Sequence, residues 1–333
     1  MKSPMKQLPT WLMALLLLGC TGTESPDLSE PPDAPDAPDK VAYIVVPHPD
    51  DEIQAWSLIE NTPDAYKVFI VLTRGEQTAF CGSPGYDAGT GEAPPTPEPA
   101  GRWTPSCEQA RQRAFFDFMT DMATVDSGLP AAYANADTQG PFEAHGHTIC
   151  RHDATGTSDA ADCIEDRTAQ VWTAPTGAVV WFNLGDGDLT IEEVEWAITT
   201  VRDNRAALGI DASLPNHHLI GASYWNLSHP DCFIYEHGDH QAVYEALWIT
   251  GFGMGRQSAA TCASDPDASP VARVSPHQFD HAFATLGDTR VGAHVVHYGW
   301  LWSDDPGYWP GDYDGQGELF HRRQTFRVRF GRP

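Results

Sequence analysis

The feature that most restricts the fold is "VAYIVV" at 41–46, a run of apolar, mostly β-branched residues with no polar face. A strand of this kind is stable only where protein covers both of its sides, as in a parallel sheet layered with helices. "YKVFIVLT" at 66–73 repeats the texture, and "GAVVWFNL" at 177–184 and "HHLIGAS" at 217–223 supply two more strands. Between the last two, "TIEEVEWAITTVRDNRAAL" at 190–208 spaces its apolar residues as a helix does, behind Thr190 as N-cap with Glu193 three residues on. A shorter helix is expected from Ile53 to about Glu60. Strands alternating with helices predict an α/β fold with a mainly parallel, doubly wound sheet.

Two stretches interrupt this pattern. Residues 77–106 form a Gly/Pro-rich insertion, and 136–165 read as irregular structure or a hairpin around "FEAHGHTICRHD". Long loops in compact domains tend to carry function, and both are candidates for covering a site. With 333 residues, 41% of them hydrophobic, the chain can bury a sizeable core as one large or two modest domains. Its 46 acidic residues against 20 Lys plus Arg leave a net charge of -26, which argues against nucleic acid as a partner, since that needs Lys and Arg to neutralise phosphate.

The N-terminus reads as an export address. Lys2 and Lys6 precede an apolar run from Trp11 to Leu18, too short to span a bilayer and of the length of a signal-peptide core. "LLGC" follows and resembles the bacterial lipoprotein box, so Cys20 is the expected lipidation site and new N-terminus. Residues 1–20 are thus expected as a lipoprotein signal peptide. Residues 21–39, rich in Pro and Asp, are an extended acidic tether that buries too little to fold. The expectation is an exported bacterial protein, anchored to a membrane of the cell envelope through lipid without spanning it. Six cysteines remain: Cys81, Cys107, Cys150, Cys163, Cys232 and Cys262, an even number with no CxxC pair. In an oxidising compartment this predicts disulfides, taken in sequential order because each pair then closes a loop in an irregular region.

The chemistry concentrates at the end of the first strand. In open α/β sheets ligands bind beyond the carboxyl ends of the strands, and there the chain reads "PHPDDE". Pro47 and Pro49 restrict the backbone around His48, and successive side chains in such a turn diverge. One carboxylate can then face a metal while its neighbour faces water, and a divalent cation makes three adjacent acids tolerable. A mononuclear zinc site takes about three protein ligands, of which His48 and Asp51 offer two. "EHGDHQAVYEAL" at 236–247, on the way into a helix, holds His237 and His240 three residues apart, so one turn can present both.

At these residues the sequence resembles the PIG-L/LmbE-like zinc-dependent N-acetylglucosaminyl deacetylases. The family's HPDDE stands as His48-Pro49-Asp50-Asp51-Glu52, and its HxDH as His237-Gly238-Asp239-His240, preceded by Glu236. "LTRGE" at 72–76 and "LGDG" at 184–187 are softer matches, and the resemblance spans roughly 41–250. It implies a Rossmann-like domain, here 40–333 with long loop insertions and a C-terminal β-rich extension. It also implies that His48, Asp51 and His240 bind Zn2+ or another divalent ion, that Asp50 is the general base, and that His237 stabilises the oxyanion and helps protonate the amine. Glu52, Arg74 and Asp186 are then candidate substrate contacts, and Asp239 is expected to orient the histidines or cap the helix. The sequence departs from the family in its cysteine-containing insertions. It departs also in "SCEQARQRAFF" at 106–116, where Arg111 and Arg113 stand out of register with the arginine that sugar-specific members often carry.

Other motifs have plainer readings. His145, His147 and His152 suggest a solvated edge rather than a second metal site. "DYDGQGE" at 312–318 lacks the spacing of a calcium loop and reads as a turn. The aromatic residues of 297–313 suit either sugar stacking or a module closing the sheet. The expected function is removal of the acetyl or acyl group from an N-acetylated amino sugar or glycoconjugate. The alternatives are an amidase on a non-sugar N-acyl or conjugate substrate, or a non-catalytic glycan- or metal-binding surface lipoprotein.

Overall fold

The computed structural model describes residues 37–78, 81, 100–123, 126–151, 163–225, 235–261, 279–285 and 323–330. The signal peptide, Cys20, most of the tether, Cys232, Cys262, His152 and the motifs within 297–318 lie outside these residues.

The four apolar runs are strands β1 (Lys40–Val46), β2 (Ala65–Thr73), β5 (Gly177–Leu184) and β6 (Asn216–Gly221). They pair in parallel, and β7 (Arg256–Thr261) joins them in the same direction beside β6. Two short strands, β3 (Asp137–Gln139) and β4 (Ala169–Ala174), run antiparallel outside β5. At the far edge β9 (Arg323–Phe330) runs antiparallel to β7, and β8 (Phe279–Thr285) to β9. The result is one mixed nine-stranded sheet in the order β3-β4-β5-β2-β1-β6-β7-β9-β8. Chain order moves outward from β1 through β2 to β5, then returns to β6 on the other side. The gap between β1 and β6 is therefore a topological switch point, where open α/β sheets place their ligands.

Both faces of the sheet are covered, as uninterrupted apolar strands require. Ile44 and Val46 of β1 point into one core with α1 (Trp56–Glu60) and α2 (Pro105–Met122), packing with Trp56, Phe115, Phe118 and Met119. Tyr43 and Val45 point into the other, with Val194, Ile198 and Val201 of α3 (Ile191–Asp203) and Val243 and Leu247 of α4 (Gly238–Ile249). Each such side chain contributes about 1.5–3 kcal/mol through burial, so losing either helix layer would expose one face of the central strands β1, β2, β5 and β6.

The capping box at α3 forms as expected: the Thr190 hydroxyl accepts from the Glu193 N–H, and the Glu193 carboxylate accepts from the Thr190 N–H. The helix stops earlier than 208, at the C-cap Asn204. The helix expected at 53–60 opens as a 3-10 turn, Asp51–Ala55, before α1. In 136–165, β3 pairs with β4 beyond the stretch, and inside it the one β-bridge among the described residues joins Arg151 to Ile164. Two expected disulfides, Cys81–Cys107 and Cys150–Cys163, are present, and they fit folding in an oxidising, extracytoplasmic environment. No helix among the described residues is long and apolar enough to cross a membrane.

Candidate metal centre

Parallel pairing brings the carboxyl ends of β1, β2, β5 and β6 to one edge of the sheet. The turn after β1 is pinned there: the carbonyl of Pro47 accepts from both the N–H (3.1 Å) and the hydroxyl (2.9 Å) of Thr73 at the end of β2. Three residues after Pro47, Asp50 takes φ 131°, a region that costs a non-glycine residue about 1–3 kcal/mol. Its N–H donates to the Glu52 carboxylate at 3.0 Å. This contorted turn sends the adjacent acids in different directions, as the sequence suggested. Asp51 faces His48 and His240; Asp50 faces Arg111.

Asp51 Oδ2 lies 2.9 Å from His48 Nδ1 and 3.2 Å from His240 Nε2, and the ligand atoms of the three residues all lie within 4.8 Å of one another. The other nitrogen of each histidine fixes its tautomer. His240 Nδ1 sits 3.1 Å from the Tyr224 carbonyl, which only accepts, so Nδ1 bears the hydrogen and Nε2 presents a lone pair. That Nε2 is buried with no hydrogen-bond partner. His48 Nε2 lies 2.8 Å from Asp239 Oδ2 and 3.3 Å from Asp186 Oδ1, so its hydrogen belongs there and Nδ1 turns its lone pair toward Asp51. With both rings neutral, their lone pairs and the Asp51 carboxylate face one another, an arrangement that suits a cation; without one, a proton on His48 Nδ1 would bridge that ring to Asp51. The buried group His48-Asp51-His240 can hold a metal ion, and two imidazoles with one carboxylate is a donor set that zinc accepts.

The supporting contacts are equally specific. Gln54 donates to Asp51 Oδ1 at 2.7 Å and accepts from the Tyr224 N–H at 2.6 Å, tying the ligand turn to the exit of β6. Asp239 is fully buried and accepts from the N–H of Gly187 (2.8 Å) and Leu189 (3.0 Å), so the "LGDG" loop after β5 grips the residue that orients His48. Asp186, in the same loop, accepts from the Gln77 N–H at 2.6 Å.

Electrostatics follow from burial and these partners. Burial opposes a charge on His48, but the carboxylates of Asp186, Asp239 and Asp51 outweigh it and raise the imidazole well above its usual range. Burial would likewise raise Asp51, yet the His240 and His48 rings hold its carboxyl well below the ordinary value. Asp50 is raised by burial against the pull of Arg111. His237, the N-cap of α4, is pushed down to about 4, chiefly by burial and then by His48 and His240. Its Nδ1 accepts from the Asp239 N–H at 3.3 Å, so the neutral ring offers Nε2–H as a donor. Its centroid lies 4.7 Å from that of His48.

The residues singled out from sequence divide at this point. His48, Asp50, Asp51, His237, His240, Asp186 and Asp239 come together. Glu52 is buried beneath the turn, its carboxyl raised to about 8 by burial and by Asp50. Arg74 pairs with Glu108 on α2. Arg111 reaches Asp50, whereas Arg113 is exposed. His145 and His147 belong to no metal-ligating group among the described residues. Sequence reasoning passed over Gln54, Tyr224, Tyr235 and Glu76. Gln54 was findable as the residue one turn after Asp51, while Tyr235, stacked on His237 at 6.0 Å, has only its position two before that histidine. No family model matches the chain, and comparison with curated proteins and with solved structures finds no match either.

Proposed function

We propose that this chain is a metal-dependent N-deacetylase of the PIG-L/LmbE-like kind, built on a Rossmann-like sheet and anchored at the cell envelope through Cys20. Its substrate is an N-acetylated amino sugar or glycoconjugate. The observation that carries the proposal is the division of labour between adjacent aspartates: Asp51 completes the two-histidine cluster while Asp50, beside it, points elsewhere and bonds to no proposed ligand. Binding a metal alone requires no strained Asp50 and no neutral His237, which weighs against a purely structural or storage site.

When bound, the ion would polarise the amide carbonyl and acidify a water, bringing its pKa toward ~7. Asp50 accepts the proton of the attacking water. Arg111 bonds once to each Asp50 oxygen, at 2.8 and 3.1 Å, and a carboxylate has about four lone-pair sites, so acceptor capacity remains. The His237 Nε2–H donates to the oxyanion formed as water oxygen adds to the carbonyl carbon. The C–N bond then breaks as the amine takes the proton that Asp50 accepted from water, while the neutral His237 keeps its hydrogen and stays a hydrogen-bond donor. Acetate leaves and the sugar keeps its amine.

Four purified variants test the assignment by metal content and amine release from N-acetylated sugars. Asp51→Asn and His240→Ala are expected to lose metal. Asp50→Asn is expected to keep it and lose about 10²–10⁴ in rate. His237→Ala is expected to keep it and lose on the order of 10²–10³. Asp50→Asn losing metal while Asp51→Asn keeps both metal and activity would reverse the roles, and full activity in all four would place catalysis elsewhere.

A further inference from the structure

The first turns of α2 are fastened to the segment that follows β2. Cys107 is joined to Cys81, the Trp103 N–H donates to the Glu76 carbonyl at 3.0 Å, and Glu108 pairs with Arg74. Arg111 stands four residues beyond Cys107, so one face of the helix presents both. From that anchor the Arg111 side chain crosses directly over Gly75. A Cβ there would lie 2.5 Å from Arg111 Nε, and the φ of +65° favours glycine independently. The guanidinium, 4% exposed, ends on both oxygens of Asp50 at 2.8 and 3.1 Å. Asp50 itself holds a left-handed backbone that persists only where its surroundings over-determine it.

We propose that the Cys81–Cys107 disulfide is a positioning device for Asp50: it sets the start of α2 so that Arg111 holds the carboxylate in place, and full turnover appears only once the bond has formed. The catalytic half of this rests on the hydrolase reading above. Forming the bond takes two electrons and two protons from the two thiols and passes them to a disulfide oxidant, such as a thiol–disulfide oxidoreductase of the export compartment. Cys81 and Cys107 are 1% and 0% exposed, so the folded protein shields the bond from reductants. It is set once, during maturation, and is no reversible sensor. Arg111 acts through Asp50 and is a positioning residue.

The test uses the full zinc-loaded chain, with N-acetylglucosamine as probe and amide hydrogen exchange read on the same samples. Cys81→Ala with Cys107→Ala is expected to speed exchange both at 105–111 and in the 51–55 turn. It should lower kcat at least tenfold with KM within threefold and metal content unchanged. Arg111→Gln is expected to match that kcat loss while loosening only 51–55, with Arg111→Lys recovering part of it. Because both changes act through one contact, combining them should cost no more than about threefold beyond Arg111→Gln. Removing Cys150–Cys163 should reproduce none of this. Multiplying losses in the combined variant, undisturbed exchange at 51–55 without the disulfide, or failure of the double-alanine variant to fold would each overturn the proposal. Absence of turnover in the wild-type protein on N-acetylglucosamine and on a panel of N-acetylated sugars and glycoconjugates, with the exchange coupling intact, would refute the hydrolase reading and leave the coupling standing.

Discussion

Replacing Asp239 by asparagine changes almost no volume and tests how the centre is held. The Asp239 carboxylate meets three hydrogens: Oδ2 takes those of His48 Nε2 and the Gly187 N–H, each at 2.8 Å, and Oδ1 that of Leu189 at 3.0 Å. Asparagine offers one oxygen and one NH2. With its oxygen toward His48, the NH2 confronts the Leu189 N–H. With the oxygen toward Leu189, the NH2 confronts the Gly187 N–H, and His48 must move its hydrogen to Nδ1, the atom that faces Asp51. Either way a buried donor is left unsatisfied, at about 1–3 kcal/mol. If that penalty falls on the metal-bound state, affinity drops roughly 10- to 100-fold, the usual cost of losing an acid that orients a ligating histidine. Competition against a chromophoric zinc chelator at neutral pH measures this directly. A dissociation constant unchanged within about threefold would show that Asp239 does not govern the His48 tautomer. A loss as complete as that of Asp51→Asn would make Asp239 a ligand in its own right.

Two further outcomes follow from groups away from the ligands. Burial, reinforced by Asp186 and Glu108, lifts the Glu76 carboxyl from 4.5 to about 8, and its Oε2 has no hydrogen-bond partner. The folded state thus keeps a proton that the unfolded chain releases near 4.5, so this contribution to stability is full below 4.5 and is lost as the pH climbs toward 8. At about 1.4 kcal/mol per unit, Glu76→Gln should match the wild type near pH 4.5 and exceed it by on the order of 2–4 kcal/mol near pH 8 in denaturant titrations. A gap that stays constant across that range would mean that Glu76 ionises normally. Nearer the N-terminus, Cys20→Ser should move the protein from the membrane fraction to the soluble one with its folded domain unchanged, and unchanged membrane association would rule out the lipid anchor.

The strands that sequence revealed are those whose burial demands apolar side chains on both faces. β7 escaped because "RQSAAT" is buried without being apolar. Gln257 is tolerated there by donating to the carbonyls of Leu247 and Thr250 and accepting from the Phe252 N–H, partners that no local pattern announces. β4, only partly buried and antiparallel to β5, lacks a period strong enough to separate it from the irregular stretch before it. The ligand cluster was legible because two short motifs carry all three residues and the strand ends give them a common address. Arg111 could be named but not placed. Its contact with Asp50 depends on where α2 starts, and that is set by Cys81 and by the room over Gly75 rather than by spacing from the motif.

His48 and Asp239 stand 191 positions apart in the chain, yet one bonds to the other across the switch point. No short contiguous fragment contains the centre, and an unfolded chain presents its donors scattered. An ion that binds only the native state adds RT ln(1 + [L]/Kd) to stability, about 4.1 kcal/mol when free metal stands at a thousand times Kd. Against the roughly 5–15 kcal/mol that keeps an ordinary domain folded, that is a large share. If the centre holds an ion, ion supply and protein lifetime are linked thermodynamically: where the ion is scarce, the chain would unfold more often and meet proteases sooner.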